Sequence, residues 1–197
     1  MGKITEPNKV KFFFGLIFND GFNIKEIYEL LEKKFNNKID IFSPVIDFSF
    51  TKYYNKEMGE NLKRQWISFE THLSPELLAE IKVETNNIED SYAVSSPSVI
   101  PECLCRESRS SSALSSKPSY NRVVNIDPGY ITPANVILAS TKDFSHRIYL
   151  SKGIYSEVTT IYRKEGFTKL PWTYPDYLCP TATEFILQAR KCILNKK

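Results

Sequence analysis

Nine polar residues of types that bind anions or transfer protons lie on, or beside, segments that the sequence predicts to be strands. A strand selected for structure alone would carry Thr, Val or Ile at such positions, so these residue types indicate a polar pocket. Asp127 and His146 are the candidates for acid–base catalysis, because a carboxylate and an imidazole can both exchange protons. The candidates for ligand binding are Arg64, Glu70, Asn125, Lys142, Arg147, Glu157 and Asp176.

The densest group of these candidates lies in residues 140–147, which combine hydroxyls, a Lys, an Arg and a His within a short stretch. Arg147 offers a bidentate guanidinium and Lys142 offers a point charge, and both suit a phosphate or a carboxylate. The segment therefore predicts an anion-binding site. A solvated loop, followed by a strand with polar residues on one face, is an equally good interpretation.

Two further segments carry candidates, each with a structural alternative. Asn125 and Asp127 lie on one face at the end of a predicted strand, just before a Pro-Gly pair that predicts a type II turn at 127–130. The Asp127 carboxylate there is suited to act as a general base or to cap the turn through the backbone. Asp176 lies among three aromatic residues in 172–177, which predict a stacking wall for a base or sugar, or a loop that closes one end of the sheet.

Several common site classes are excluded or weakened by the sequence. It contains no P-loop and no G-x-G-x-x-G motif among its seven glycines. His72-Leu73-Ser74 fits the first His-x-Ser/Thr motif of the 2H phosphoesterases, but Ile148 stands where the second motif, begun by His146, needs a hydroxyl. The spacing Cys103-x-Cys105 is too short for a usual zinc knuckle. We therefore predict no metal site.

The composition predicts one globular domain over residues 1–197, with 42% hydrophobic residues and 25% charged residues. The formal net charge of +3 is too small to indicate a nucleic-acid partner. The apolar run at 12–18 is too short to span a bilayer, and no signal peptide is recognised, so we expect a cytoplasmic protein with no membrane contact. Residues 93–120 are Ser-rich and lack an apolar period, which predicts a flexible surface insertion.

The elements that must position these residues follow from hydrophobic periodicity and capping signals. The predicted order is strand, helix, strand, strand, helix, strand, which is typical of a ferredoxin-like βαββαβ core and gives an α+β fold. A β-hairpin and a C-terminal helix are added to that core. The predicted ranges are strand 9–18, helix 23–36, strand 39–50, strand 63–73, helix 74–90, strand 122–126, hairpin 144–162 and a helix from residue 181.

The hairpin allows a prediction of register. A three-residue loop at 151–153, with Gly153 in the left-handed conformation, pairs Leu150 with Ile154. Counting outward places Arg147 opposite Glu157 on one face of the hairpin. The alternation of side chains then places His146 on the other face.

Taken together, the segments FFFGLIF, DFSFTKYYNKEMG, NIDPGYITPANVILASTKDFSHRIYLSKGIYSEVT and WTYPDY resemble the prokaryotic proteins grouped as domain of unknown function 4416. The resemblance covers nearly the whole chain and departs from the family pattern at 93–120. The name of the family states no activity, so the resemblance implies no catalytic residue, cofactor or ligand.

The leading hypothesis from the sequence is a cytoplasmic enzyme or nucleotide-binding protein that handles a small phosphorylated or otherwise anionic ligand. The alternative is a non-catalytic interaction module that binds RNA through an aromatic face of the sheet. The nearly even balance of charge favours the first hypothesis.

Overall fold

A computed structural model describes residues 2–95, 120–164 and 166–195. Most of the predicted insertion at 93–120 lies outside the described residues. Four α-helices are described: α1 (Lys25–Phe35), α2 (Asn55–Met58), α3 (Leu78–Ser91) and α4 (Pro180–Leu194). The described strands are β1 (Lys11–Asn19), β2 (Ile39–Phe42), β3 (Ile46–Asp47), β4 (Leu62–Phe69), β5 (Val94–Ser95), β6 (Tyr120–Asn121), β7 (Val124–Ile131), β8 (Asn135–Ser140), β9 (Ile148–Ser151), β10 (Ile154–Arg163) and β11 (Gly166–Lys169).

Nine of these strands form one antiparallel sheet in the order β11-β10-β8-β7-β1-β4-β2. The short strand β3 pairs with β4 on the same edge as β2, and β9 pairs with β10 on the same edge as β11. The strands β5 and β6 form a separate two-stranded ladder. The strand β1 lies inside the large sheet next to its middle strand β7, and Phe14 of β1 lies between Ile67 of β4 and Pro128 of β7.

The position of β1 follows from its burial on both faces. Phe12, Phe14 and Leu16 lie on one face, in a hydrophobic core that also contains residues of α1 and α3. Phe13 points to the opposite face, where it packs with residues of α4. Because both faces are covered by helices, the strand reads as a continuous apolar run rather than as an alternating pattern.

The predicted ferredoxin-like fold is wrong, because the molecule is a large antiparallel sheet of nine strands with few helices. The error begins at Pro128 and Gly129, which lie inside β7 and not in a type II turn. The strand continues to Ile131 and pairs there with β8, and β10 and β11 follow edge to edge. The strands expected to be additions to a small core are therefore an integral part of one wide sheet.

A proline is tolerated within β7 because of where its ring nitrogen points. Ile126, two residues earlier, has its backbone N–H and C=O bonded to side chains of α3 and not to β1. The alternation of a strand turns Pro128 to that same side, and β8 pairs with β7 only from Gly129 onward. The missing N–H therefore falls where no strand needs a donor.

The hairpin of β9 and β10 differs from its prediction by one residue at the turn. Lys152 and Gly153 both have positive φ (53° and 76°), so the loop has two residues and Ser151 pairs with Ile154. A bulge then restores the predicted pairing of Tyr149 with Tyr155.

None of the described helices combines the length and the apolar character needed to cross a membrane.

Candidate functional site

The candidate site is a cavity of about 700 Å³ at the point where β7 and β8 separate. The two strands pair from Gly129 and Leu138 to Ile131 and Val136, and on the other side of Gly129 they diverge. The cavity is lined there by side chains from β4, α3, β7 and β10, and by the segments that follow β3 and precede α4. Its volume lies within the range of small-molecule sites in proteins.

The inner wall of the cavity is formed where α3 replaces the missing strand partner. The Glu89 carboxylate accepts a hydrogen bond from the Ile126 N–H at 2.7 Å, and the Lys82 ammonium donates to the Ile126 C=O at 3.1 Å. Lys82 also lies 3.4 Å from a carboxylate oxygen of Asp127. Two charged side chains therefore satisfy backbone groups that a strand would otherwise bind.

A chain of polar side chains extends this wall. Arg122 donates to a Glu89 oxygen at 3.1 Å and to the Asn125 side-chain oxygen at 2.7 Å. Asn125 in turn donates to Asp127 at 2.6 Å. The Asp127 carboxylate therefore contacts Asn125 and Lys82. Residues 127–130 belong to β7 and form no turn, so Asp127 does not cap one. Asp127 is held in place with its side chain part-exposed at the cavity.

The floor of the cavity is formed by Arg64, whose side chain is 1% exposed. Its Nη2 lies 2.8 Å from a carboxylate oxygen of Asp176. Its guanidinium carbon lies 4.6 Å from the centre of the Trp66 ring and 5.3 Å from that of Tyr177. Gly15 of β1 makes room for this arrangement, since a Cβ there would stand 2.7 Å from the Arg64 Nη2.

The mouth of the cavity is formed by the loop after β8. Lys142 donates to the Tyr53 hydroxyl at 3.0 Å, which joins this loop to the segment after β3. Arg147 donates to Ser140, to the Lys142 C=O and to the Tyr174 hydroxyl, at 2.7 to 3.1 Å. The Nε of Arg147 donates to Glu157, so all three guanidinium nitrogens already have a partner. Arg147 therefore holds the loop in place, and the Lys142 side chain joins the loop to Tyr53.

Glu157 ties the mouth to β10. Its carboxylate accepts from Arg147 at 2.8 Å, lies 3.2 Å from the His146 Nε2, and accepts from the Thr159 hydroxyl at 3.3 Å. The His146 ring stacks on Trp172, with centres 4.9 Å apart. The prediction that His146 lies on the face opposite to Glu157 is wrong, because β9 begins only at Ile148 and the turn before it brings both side chains to Glu157.

Seven of the nine candidate residues from the sequence line this cavity, and two do not. His146 lies behind Glu157 and is absent from the cavity wall, so Asp127 and His146 do not face a common space there. Glu70 follows the end of β4, has an exposed side chain and lies outside the cavity. The seven are Arg64, Asn125, Asp127, Lys142, Arg147, Glu157 and Asp176. Their roles in binding or catalysis stay predictions.

The residues that the sequence reasoning missed are Lys82, Glu89 and Arg122. Lys82 and Glu89 are 6% and 5% exposed and lie seven residues apart on the buried side of α3. A charged residue on the apolar face of an amphipathic helix is rare unless it is paired. The positions of Lys82 and Glu89 on that face could therefore have marked them as candidates from the sequence. Arg122 borders the Ser-rich segment, and no signal in the sequence marks it.

Burial changes the protonation of the acidic groups that line the cavity. It raises the pKa of Glu89 to about 7, against the lowering effect of Lys82 and with a further increase from the neighbouring Asp127 charge. It also raises the pKa of Asp176, although the Arg64 charge opposes this. The pKa of the Tyr174 hydroxyl is raised by burial as well. The lining of the cavity therefore disfavours the ionised form of each of these three side chains.

We expect a Glu89→Gln variant to lose much of the dependence of stability on pH between pH 5 and 8. The folded state holds the Glu89 proton more tightly than the unfolded state, whose carboxyl has its ordinary pKa of 4.5. Stability from this group is therefore full below pH 4.5 and is lost as pH rises through about 7, by on the order of 3 kcal/mol. Urea denaturation at several pH values measures this slope. Glu84→Gln, on the same helix but outside the cavity, is the control, and an unchanged slope in Glu89→Gln would contradict the assignment.

The described residues contain no group of three or more His, Cys, Asp or Glu side chains arranged to hold a metal ion. The fold and the cavity together define a class of protein: a wide antiparallel sheet, covered by helices on both faces, with a cavity lined by charged and aromatic side chains between two diverging strands. The chain belongs to the family described as domain of unknown function (DUF4416), whose sequence profile matches residues 8–192. No curated protein and no solved structure matches the chain.

Proposed function

We propose that the protein binds a small anionic ligand, such as a phosphorylated metabolite or a nucleotide, in the cavity between β7 and β8. The observation that carries the proposal is that five basic side chains from separate parts of the chain line this single cavity. Basic residues that converge on a concave site are the usual means of recognising phosphate and carboxylate groups. The five residues are Arg64, Lys82, Arg122, Lys142 and Arg147.

The charges in the cavity differ in how far they are already paired. Within the described residues, Arg64, Lys82, Arg122 and Arg147 each lie within 4 Å of a carboxylate, whereas Lys142 has no such ion pair. Among the described residues, the Lys142 ammonium donates to the Tyr53 hydroxyl and lies 4.7 Å from the centre of the Tyr53 ring, and the side chain is exposed at the mouth. An entering anion therefore meets Lys142 first, and Arg64, Lys82 and Arg122 are held in place by their carboxylate partners on the inner wall and floor of the cavity.

Aromatic side chains supply the apolar part of such a site. Tyr53, Tyr54 and Tyr174 line the same cavity and can pack against a ring or a sugar. The RNA-binding alternative requires a group of exposed rings on one face of the sheet. Phe12 and Trp66 on inner strands are fully buried, and the exposed rings of Phe42 and Tyr149 lie at opposite edges of the sheet. The small-ligand proposal is therefore better supported than the RNA-binding proposal.

An enzymatic role is part of this proposal, with Asp127 as the candidate general base, because its carboxylate is part-exposed at the cavity wall and held by Asn125 and Lys82. His146 lies outside the wall and would act only on a group that reaches past Glu157.

The proposal also places the protein in the cytoplasm. Cys179 and Cys192 are free cysteines, which agrees with a reducing compartment.

A screen of nucleotides, sugar phosphates and phosphorylated carboxylic acids by thermal shift tests the proposal. We expect at least one compound to raise the melting temperature, and Lys142→Ala to weaken its binding at least about tenfold, because a charge-assisted contact contributes about 1.5–3 kcal/mol. Lys152→Ala is the control, since Lys152 is also an exposed lysine but lies at the β9–β10 turn, outside the cavity and 3.6 Å from Glu80. A screen without a single stabilising compound, or equal losses in both variants, would reject the proposal.

A further inference from the structure

The described lining of the cavity carries more carboxylates than cations. Five basic side chains and six acidic ones line it, so the acidic groups outnumber the basic ones by one when every group is ionised. An anion that enters adds to this negative charge, and at a buried wall the added charge is only weakly screened. Anion binding is therefore more favourable when one of the carboxylates takes up a proton at the same time. The six carboxylates belong to Glu57, Glu89, Asp90, Asp127, Glu157 and Asp176.

The surroundings of four of these carboxylates oppose their protonation. Glu57 has a half-exposed side chain and Asp90 is exposed, so water stabilises their ionised forms. Glu157 and Asp176 each lie 2.8 Å from a nitrogen of one buried arginine, whose charge favours the ionised form. The two that remain lie together on the inner wall of the cavity.

These two, Glu89 and Asp127, share the ammonium group of Lys82. Its Nζ lies 3.9 Å from a carboxylate oxygen of Glu89 and 3.4 Å from one of Asp127. The Glu89 side chain is 6% exposed and that of Asp127 is 29% exposed, so Glu89 is the less hydrated of the two. When two carboxylates lie close together, the more buried one takes up a proton first. Glu89 is therefore the carboxylate of the wall that protonates most readily.

The contacts of Glu89 allow either protonation state. One oxygen accepts from the Ile126 N–H at 2.7 Å and the other accepts from Arg122 at 3.1 Å. A protonated carboxyl still offers an acceptor to Ile126, while Arg122 and Lys82 lose part of their compensation and gain positive potential toward the cavity. Burial raises the pKa of Glu89 to about 7, with a smaller increase from the Asp127 charge, which agrees with this arrangement.

The charged groups that face Glu89 come from each element packed against it. Among the described residues they are Lys82 on the same helix, Asp127 on β7 and Arg122 just before β7. Glu57 of α2 lies 3.7 Å from Arg122 and acts on Glu89 only through that side chain. The two cations are therefore shared among three carboxylates, and an anion that contacts either cation competes with Glu89.

We propose that Glu89 is a proton-binding site that fills when an anion enters the cavity. The inference rests on the proposed function and deepens it: the protein takes its ligand as an anion together with a proton. An anion on the cavity side of Arg122 would stand about 6–8 Å from the Glu89 carboxylate, and at an effective dielectric constant of about 20 its charge favours the proton more than tenfold. Ligand affinity therefore falls as pH rises above neutrality.

Inorganic sulfate is the probe that tests this coupling, because its charge is constant between pH 6 and 8.5, whereas a phosphate monoester titrates at about pH 6. Its affinity is measured at constant ionic strength from the ¹H–¹⁵N NMR signals of the Ile126 and Lys142 amides. We expect the affinity to fall about twofold from pH 6 to 7 and about tenfold from pH 7 to 8.5. Equal affinity at the three pH values, or no saturable binding at pH 6, would overturn the inference.

Two variants assign the proton to Glu89. Glu89→Gln keeps an acceptor for Ile126 and is neutral at every pH, so its affinity for sulfate should change less than twofold over this range. Asp90→Asn is the control, because it removes a negative charge from the next residue, which also lines the cavity, and should keep the tenfold fall. A tenfold fall retained in Glu89→Gln would show that the proton binds elsewhere and would overturn the inference.

One signal of the wild-type protein reports the proton without any variant. At pH 8, the side-chain carboxyl ¹³C resonance of Glu89 should move toward its protonated position as sulfate is added. An unmoved resonance at saturating sulfate would overturn the inference.

The two proposals fail in different ways. If the phosphorylated compounds of the screen bind through Lys142, but sulfate does not bind or binds independently of pH, the proton site is refuted and the anion-binding cavity stands. If neither those compounds nor sulfate bind, both proposals are refuted.

Discussion

A Glu157→Leu variant is expected to lose about 3–5 kcal/mol of unfolding free energy, the scale observed when one partner of a buried ion pair is removed. The side chains of Glu157 and Arg147 are 1% and 4% exposed, so the remaining guanidinium would be left without a counterion and largely without water. His146 and Thr159 would lose their contacts with the carboxylate as well. Urea denaturation followed by circular dichroism measures the loss.

The double variant Arg147→Met with Glu157→Leu provides the control. Removing both charges leaves no uncompensated cation, so the double variant should lose about 2–3 kcal/mol less than the sum of the two single variants. Strict additivity of the single losses would show that the two side chains do not depend on each other. That result would contradict the role of the Arg147–Glu157 ion pair in holding the loop after β8.

A Gly129→Ala variant is the second change with a large expected effect, about 3 kcal/mol of lost stability together with the loss of ligand binding. An added Cβ would stand 2.4 Å from the Ile137 backbone oxygen and 2.8 Å from the Phe13 ring. Neither neighbour can rotate away cheaply, because one is backbone and the other is a fully buried side chain in the core. The strands β7 and β8 would be pushed apart where the cavity begins.

Gly21→Ala is the matched control for this substitution. The nearest atom to an added Cβ there is the Asn19 side-chain oxygen at 3.7 Å, so the cost should stay below about 1 kcal/mol. Melting temperatures of the two variants decide the comparison. A Gly129→Ala protein as stable as Gly21→Ala would mean that β7 and β8 do not pack as closely as described.

The local elements were largely predictable from the sequence, because their signals are local. The apolar run of β1 and the periodicity of α1 and α3 place these elements within a few residues of their observed bounds. The polar residue types near strand ends also indicated most of the cavity wall. Seven of the nine candidates line it, although they come from parts of the chain that are far apart in sequence.

The wider fold was not predictable, since it depends on contacts that no local pattern encodes. Pro128-Gly129 has the composition of a turn, but Gly129 is required by the close approach of Phe13 and Ile137, and Pro128 is tolerated because β8 diverges there. Both causes are tertiary. The same holds for Lys82 and Glu89, whose role as substitutes for a strand partner exists only once α3 lies against β7.

The claim that the cavity between β7 and β8 binds small anions is tested most directly by a ¹H–¹⁵N NMR titration of the wild-type protein. The titrant is the compound that gives the largest thermal shift in the screen. We predict the largest changes at the backbone amides of Ile126, Asp127, Lys142 and Tyr174, with the amides of Phe42 and Thr168 at the two sheet edges unchanged. Saturable changes confined to those edges, with the cavity amides unmoved, would contradict the claim.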